Sequence, residues 1–178
     1  MITEDNKYLR VVDYKTGSKE FKLQDVLDGL NMQMLIYLFA ITQNGKDKYA
    51  DCQPAGILYK PASFNHIKAN RYDSDEEVEK QRTLSGRYSG LVLANAEVIY
   101  GMDKTESGKI INAQIKEKED NAISFTGSVA TAVQLGQIKQ KVDSIIAQMG
   151  NELHRGNVDA LPYDGACDYC DYKDVCLT

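Results

Sequence analysis

The sequence predicts an α/β fold, and three stretches carry that prediction. Residues 9–12 (Leu-Arg-Val-Val) are a short, mostly apolar run that reads as a strand. Residues 23–44 place Val26, Leu27, Leu30, Met34, Leu35, Leu38 and Ile41 at helical spacing. Residues 54–59 (Pro-Ala-Gly-Ile-Leu-Tyr) read as a second strand, closed by Lys60 and Pro61. The order strand, helix, strand favours neighbouring strands joined by a crossover helix.

The first strand delivers Asp13, Tyr14 and Lys15 before Thr16-Gly17-Ser18 breaks it. Side chains alternate along a strand, so Val11, Asp13 and Lys15 point to one face and Val12 and Tyr14 to the other. An acid and a base therefore stand side by side at the exit of the strand. Two readings are open for such a pair. One is a structural ion pair. The other is a metal-dependent hydrolytic site, in which the carboxylate holds Mg²⁺ or Mn²⁺ and the lysine serves the attacking water.

The helix over 23–44 is expected to start at Asp25 as N-cap and to stop at Asn44-Gly45. Apolar residues on nearly all sides from Met32 to Ile41 predict burial over most of its circumference. Gln33 and Tyr37 interrupt that surface and share a face, being four residues apart. Gln33 is either a satisfied core glutamine or a contact to Lys15 or to a phosphate.

Further along, residues 75–85 read as a highly charged, solvated helix. Residues 91–100 read as a short, partly apolar helix or turn, and 109–116 as the edge of a strand pair. Turns are expected at 105–108 and 117–121. Residues 131–155 form a second long helix with an apolar stripe of Val133, Ile138, Val142, Ile145, Ile146, Met149 and Leu153. The expected organisation is one domain: a strand–helix–strand core over 1–64, an insertion with turns over 65–130, the long helix over 131–156 and a Cys-rich tail over 157–178.

The composition fits one soluble domain. The chain has 178 residues, 43% hydrophobic and 26% charged, enough to bury a sizeable core. No apolar run approaches the ~20 residues of a membrane-spanning helix, so no membrane partner is expected. The polar start, Met1 to Lys7, has no signal-peptide character, and a cytoplasmic location is the expectation. The net charge of −5 supplies no basic tail or stripe. If nucleic acid is bound, a local cleft must hold it.

Three of the four cysteines form a Cys167-x2-Cys170-x5-Cys176 cluster. In an intracellular chain that spacing suggests a metal centre rather than disulfides, either zinc or iron–sulfur. Both want four protein ligands and the cluster offers three, so either the fourth ligand lies outside this chain or the cluster is vestigial and holds no metal.

Taken in order, Val-Asp-Tyr-Lys-Thr-Gly at 12–17, Gly-Leu-Asn-Met-Gln-Met-Leu-Ile-Tyr-Leu at 29–38, Pro-Ala-Gly-Ile-Leu-Tyr at 54–59 and the cysteine cluster resemble the RecB-type nuclease domains of the PD-(D/E)xK superfamily. Within that family they look most like the AddB branch, the C-terminal nuclease domain of the second subunit of bacterial AddAB helicase–nucleases. The resemblance covers nearly the whole chain. It implies a restriction-endonuclease-like core, a mixed sheet flanked by helices. It implies an ATP-dependent parent enzyme that hydrolyses DNA during double-strand-break processing for recombinational repair, with DNA and an AddA-like helicase–nuclease subunit as partners.

Residue by residue, the resemblance makes Asp13 and the Tyr14 backbone carbonyl ligands to Mg²⁺ (or Mn²⁺), and Lys15 the catalytic lysine. Gln33 and Tyr37 become the supporting helix motif. Cys167, Cys170 and Cys176 become three of the four ligands to a [4Fe–4S] cluster. The family's upstream acid in a Gly-x-x-Asp-Arg-type strand, its preceding histidine and its first cluster cysteine have no counterpart here. Glu4 and Asp5 lie in the polar lead-in and are poor substitutes for that acid. A fragment with an N-terminally truncated core and little activity of its own is therefore expected. Cas4-like exonucleases share the same signature, but the long span 65–121 suits the AddB branch better. A degenerate nuclease fold that only binds DNA ends or other proteins is the non-enzymatic alternative.

Overall fold

A computed structural model describes residues 6–17, 20–62, 67–105, 107–118, 122–160, 162, 165–168 and 170–175. The first strand, β1, spans Lys7–Lys15 and runs parallel to β2, Cys52–Pro61. Both are longer than their apolar runs, because backbone pairing continues into the polar ends. β2 lies between β1 and β3, Ser89–Leu93, which it pairs antiparallel; β3 in turn pairs parallel with β6, Val129–Ala130. Residues 55–59 of β2 are buried without a break, as expected for a strand covered on both faces. The result is the mixed sheet flanked by helices that the resemblance implied.

The crossover between β1 and β2 is two helices rather than one. Helix α1 spans Leu23–Leu27 and α2 spans Gln33–Asn44. Gly29 (φ 81°) and Asn31 (φ 52°) take left-handed backbone between them, which interrupts the helical ladder. A side chain at Gly29 would also meet Met149 of the last helix. Asp25 is not an N-cap. Its carboxylate accepts a hydrogen bond from Asn31 Nδ2 at 2.6 Å, and its carbonyl accepts from the Leu30 amide, so it ties down the break.

α2 is buried on one side only, through Met34, Leu35, Leu38 and Phe39, while Gln33, Tyr37 and Ala40 are exposed. The expected burial over most of its circumference does not hold. The helix has one sheet face to cover, and its other side meets solvent. Gly45 does end it, in extended rather than left-handed backbone.

Two apolar clusters sandwich the sheet. On one face Leu9, Val11, Ile57 and Tyr59 pack with Val26 of α1, with α2, and with Val142. On the other, Tyr8, Val12, Leu58 and Val92 pack with Val98, Ile99 and Met102 of α4, Ala96–Met102. The stretch 91–100 is thus a central strand followed by a helix, not one helix or turn. Tertiary pairing with β2 decides that, since Leu91 and Val92 alone fit either state. β4, Ala113–Glu117, and β5, Ile123–Gly127, form an antiparallel hairpin, in line with the expected strand pair.

α3, Asp75–Ser85, buries nothing and is closed by a Ser74/Glu77 capping box, as its charge pattern predicts. α5, Ala132–His154, starts with a second capping box, Thr131/Gln134. Its anchors are Leu135 and Val142. Val133 and Leu153, assigned to the apolar stripe by spacing, are 72% and 69% exposed: Val133 is two residues from buried Leu135 and so faces the other side of the helix, and Leu153 lies in the last turn, beyond the buried anchors.

Candidate active site

β1 is the edge of the described sheet, and it presents the acid–base pair as its alternation requires. Lys15 Nζ lies 2.7 Å from Asp13 Oδ2, with side-chain exposures of 40% and 34%. The hydrogen bond to Asp13 holds the Lys15 ammonium above its usual range, partly offset by desolvation. Tyr14 points to the opposite face and is 67% exposed.

The Tyr14 carbonyl is placed by the ladder. The Lys15 carbonyl accepts the Ala62 amide at 2.8 Å, continuing the pairing with β2. Carbonyls alternate direction along a strand, so the Tyr14 carbonyl turns to the outer edge of β1. That edge pairs with no strand among the described residues. A carboxylate and a backbone carbonyl are both hard oxygen donors. Mg²⁺ is usually held by one or two carboxylates with the rest of its shell left to water and phosphate, and this donor set fits that habit. No group of three metal-capable side chains occurs among the described residues.

Two further residues enter the site that sequence reasoning did not assign to it. Tyr59 of β2 is the register partner of Asp13 and is almost wholly buried. Burial pushes its hydroxyl up; the Lys15 charge pulls it down, and Asp13 and Asp25 push it further up. Asp25 therefore lies within electrostatic reach of the same spot. Neither had a signal beyond helix spacing and strand composition, since the register that brings them together is a long-range property.

Gln33 opens α2. A crossover between parallel strands runs back along the first strand, so Gln33 lies at the end of the sheet where β1 delivers Asp13 and Lys15. Gln33 Nε2 donates to Tyr37 Oη at 2.9 Å, and both side chains are exposed. Gln33 is thus not a buried core glutamine. Among the described residues its hydrogen bond is to Tyr37, and the expected contact with Lys15 is not formed.

Cys167 and Cys170 lie in consecutive turns, joined by a hydrogen bond from the Cys170 amide to the Cys167 carbonyl. The Tyr172 amide donates to Cys170 Sγ at 3.4 Å. Cys176 lies outside the described residues, as do Glu4 and Asp5. Cys52 is at the start of β2, and His154 is exposed at the end of α5. Among the described residues no helix is long and apolar enough to cross a membrane.

An acid and a lysine at the exit of an edge strand, crossed by a helix carrying Gln-x3-Tyr, define a nuclease of the PD-(D/E)xK kind. The chain belongs to the PD-(D/E)XK nuclease superfamily, whose model it matches over residues 1–177. It is 38% identical over 178 residues to the B subunit of the ATP-dependent helicase/deoxyribonuclease of Thermoanaerobacter sp. (strain X514), covering 97% of this chain and 15% of that protein. The B subunits of the same name from Acetivibrio thermocellus and Clostridium kluyveri are 35% and 36% identical, over 98% and 95% of this chain and 16% and 15% of those proteins. The chain spans about 15% of the length of the curated relatives it matches. These relatives are the AddB branch to which the motifs pointed.

Proposed function

We propose that this chain is the nuclease domain of a helicase–deoxyribonuclease subunit, hydrolysing phosphodiester bonds at DNA ends as a metal-dependent exonuclease in recombinational repair. The observation that carries this is the Asp13–Lys15 pair beside an outward-facing Tyr14 carbonyl on the open edge of β1. DNA is the substrate, and an AddA-like helicase–nuclease subunit is the partner. The helicase/deoxyribonuclease names of the relatives support both.

In this reading the Asp13 carboxylate and the Tyr14 carbonyl would hold Mg²⁺ or Mn²⁺. The ion would supply Lewis acidity, lowering the pKa of bound water and neutralising phosphate charge. Lys15, already paired with an anion, places its ammonium against the phosphate oxygens and the incoming nucleophile. Gln33 and Tyr37, locked to each other and facing solvent, present an amide and a hydroxyl to the DNA strand. One carboxylate from β1 holds Mg²⁺ weakly, so the 178-residue chain alone cleaves DNA poorly.

Cys167, Cys170 and Cys176 take the role of three ligands to a structural [4Fe–4S] cluster. The amide donated to Cys170 Sγ is the kind of contact that tunes a cluster sulfur. No catalytic step passes through it. With three cysteines the cluster is incomplete in this chain, so anaerobically purified material is expected to be colourless. A stable brown protein would contradict that.

The deciding experiment is Asp13→Ala in the full-length protein. It should abolish Mg²⁺-dependent cleavage of linear DNA and leave DNA binding intact. Cleavage that survives the substitution sinks the assignment.

A further inference from the structure

The register of the sheet carries the Asp13 row further than the acid–base pair. Asp13 is level with Tyr59 on β2, and Tyr59 is level with Ser89 on β3. Ile57 and Leu91 are level too and lie on the face that α2 covers. Ser89 is two residues from Leu91, so Asp13, Tyr59 and Ser89 share that face. Two strand spacings separate Ser89 from Asp13, about 10 Å.

A cavity of about 330 Å³ opens at this end of the sheet, and its lining includes Pro61, Arg87, Ser89, Asn112, Ser128 and Glu20. Pro61 is the register partner of Lys15, so the cavity adjoins the catalytic end of β1. Its wall is polar: Asn112 Nδ2 donates to Ser128 Oγ at 2.9 Å. Its cation is Arg87, set against one carboxylate, Glu20. Among the described residues the Arg87 guanidinium makes one hydrogen bond, from Nη1 to the Gly108 carbonyl at 3.4 Å. A guanidinium has five N–H donors in a planar fork suited to phosphate, so the Gly108 contact, on the side of a second cavity, leaves most of its donor capacity unused among the described residues. That second cavity, lined by Lys80 and Lys109 but also by Glu76 and Glu79, shares Arg87 and Leu84 with the first. There Lys80 and Lys109 are balanced by Glu76 and Glu79, so Arg87, which borders both cavities, is the cation they share.

We propose that this cavity is a phosphodiester-binding subsite for the DNA strand, in which Arg87 is the positioning residue that grips a backbone phosphate neighbouring the one at Asp13. The proposal rests on the nuclease reading given above. Arg87 holds the strand in register and does not touch the reacting atoms.

The test measures binding of fluorescein-labelled oligothymidylate to the full-length protein in EDTA, across a salt series, for wild type and for Arg87→Ala, Arg87→Lys and Lys80→Ala. Arg87→Ala should weaken binding about tenfold and flatten the log K against log salt slope by about 0.7. Arg87→Lys, which keeps the charge and loses the fork, should recover the slope and part of the affinity. Lys80→Ala should change affinity less than about twofold. An unchanged slope in Arg87→Ala overturns the subsite, as does a Lys80→Ala effect equal to that of Arg87→Ala. Cleavage retained by Asp13→Ala would sink the nuclease reading instead, and leaves the binding comparison readable on its own.

Discussion

Lys15 Nζ sits 2.7 Å from Asp13 Oδ2 at the exit of an edge strand, with both side chains about a third or more exposed. Partial exposure decides how that pair is read. An ion pair this exposed contributes little to stability, so little of the fold depends on it. The carboxylate keeps lone pairs for a cation, and the ammonium keeps donors for a phosphate.

Replacing Lys15 separates charge from proton transfer. Lys15→Ala should reduce cleavage by about 10²–10⁴-fold with a melting temperature close to wild type. Lys15→Arg, which stays protonated at all working pH values, should retain more activity than Lys15→Ala. Equal loss in the two variants, measured as kcat on linear DNA, would point to a neutral lysine acting as base.

Gln33 and Tyr37 are exposed and bonded to each other. Substituting them should therefore cost about 0.5 kcal/mol or less in stability. Gln33→Ala and Tyr37→Phe should nevertheless lower DNA cleavage about tenfold or more. Thermal melts paired with nuclease assays check this, and unchanged activity would return the pair to a purely helical role.

Asp103, just past α4, is fully buried. Its carboxylate accepts from the Thr105 amide and hydroxyl and from the Ile110 amide. Burial pushes its carboxyl up, but these hydrogen bonds outweigh it and hold the group below its ordinary range. The unfolded chain then binds a proton, near the ordinary Asp value of about 3.9, that the native chain refuses. This stabilisation is present above that value and is lost as pH falls through the lower native one. Asp103→Ala should cost about 2 kcal/mol at neutral pH, about 4–8 °C in melting temperature. The deficit relative to wild type should shrink in acid, and a pH series of thermal melts would show it.

Gly90 on β3 has φ 147°, and a Cβ there would collide with the backbone carbonyl of Ile57 on the neighbouring strand. Neither strand can give way, because both are in the buried centre of the sheet. Gly90→Ala should cost about 3 kcal/mol or more, read as a drop in the urea midpoint. A midpoint within error of wild type would contradict the register that places Ser89 level with Tyr59.

What the sequence by itself determined is everything set by short-range period and chemistry. The alternation that puts Asp13 and Lys15 on one face, the four-residue spacing of Gln33 and Tyr37, and the bounds of α3 and α5 with their capping residues are all local. So is the strand–helix–strand order that gives a parallel β1–β2 pair. Long-range pairing and burial decided the rest. Left-handed backbone at Gly29 and Asn31 splits the crossover helix so that Asp25 ties down the break and Met149 packs against Gly29. Pairing with β2 makes 89–93 a strand where its apolar residues fit either state. The same register aligns Asp13 with Tyr59 and Ser89, and so brings Arg87 towards the end of the sheet that carries Asp13 and Lys15. Those residues are dozens of positions apart, and only the hydrogen-bonded ladder, whose alignment no local pattern encodes, makes them neighbours.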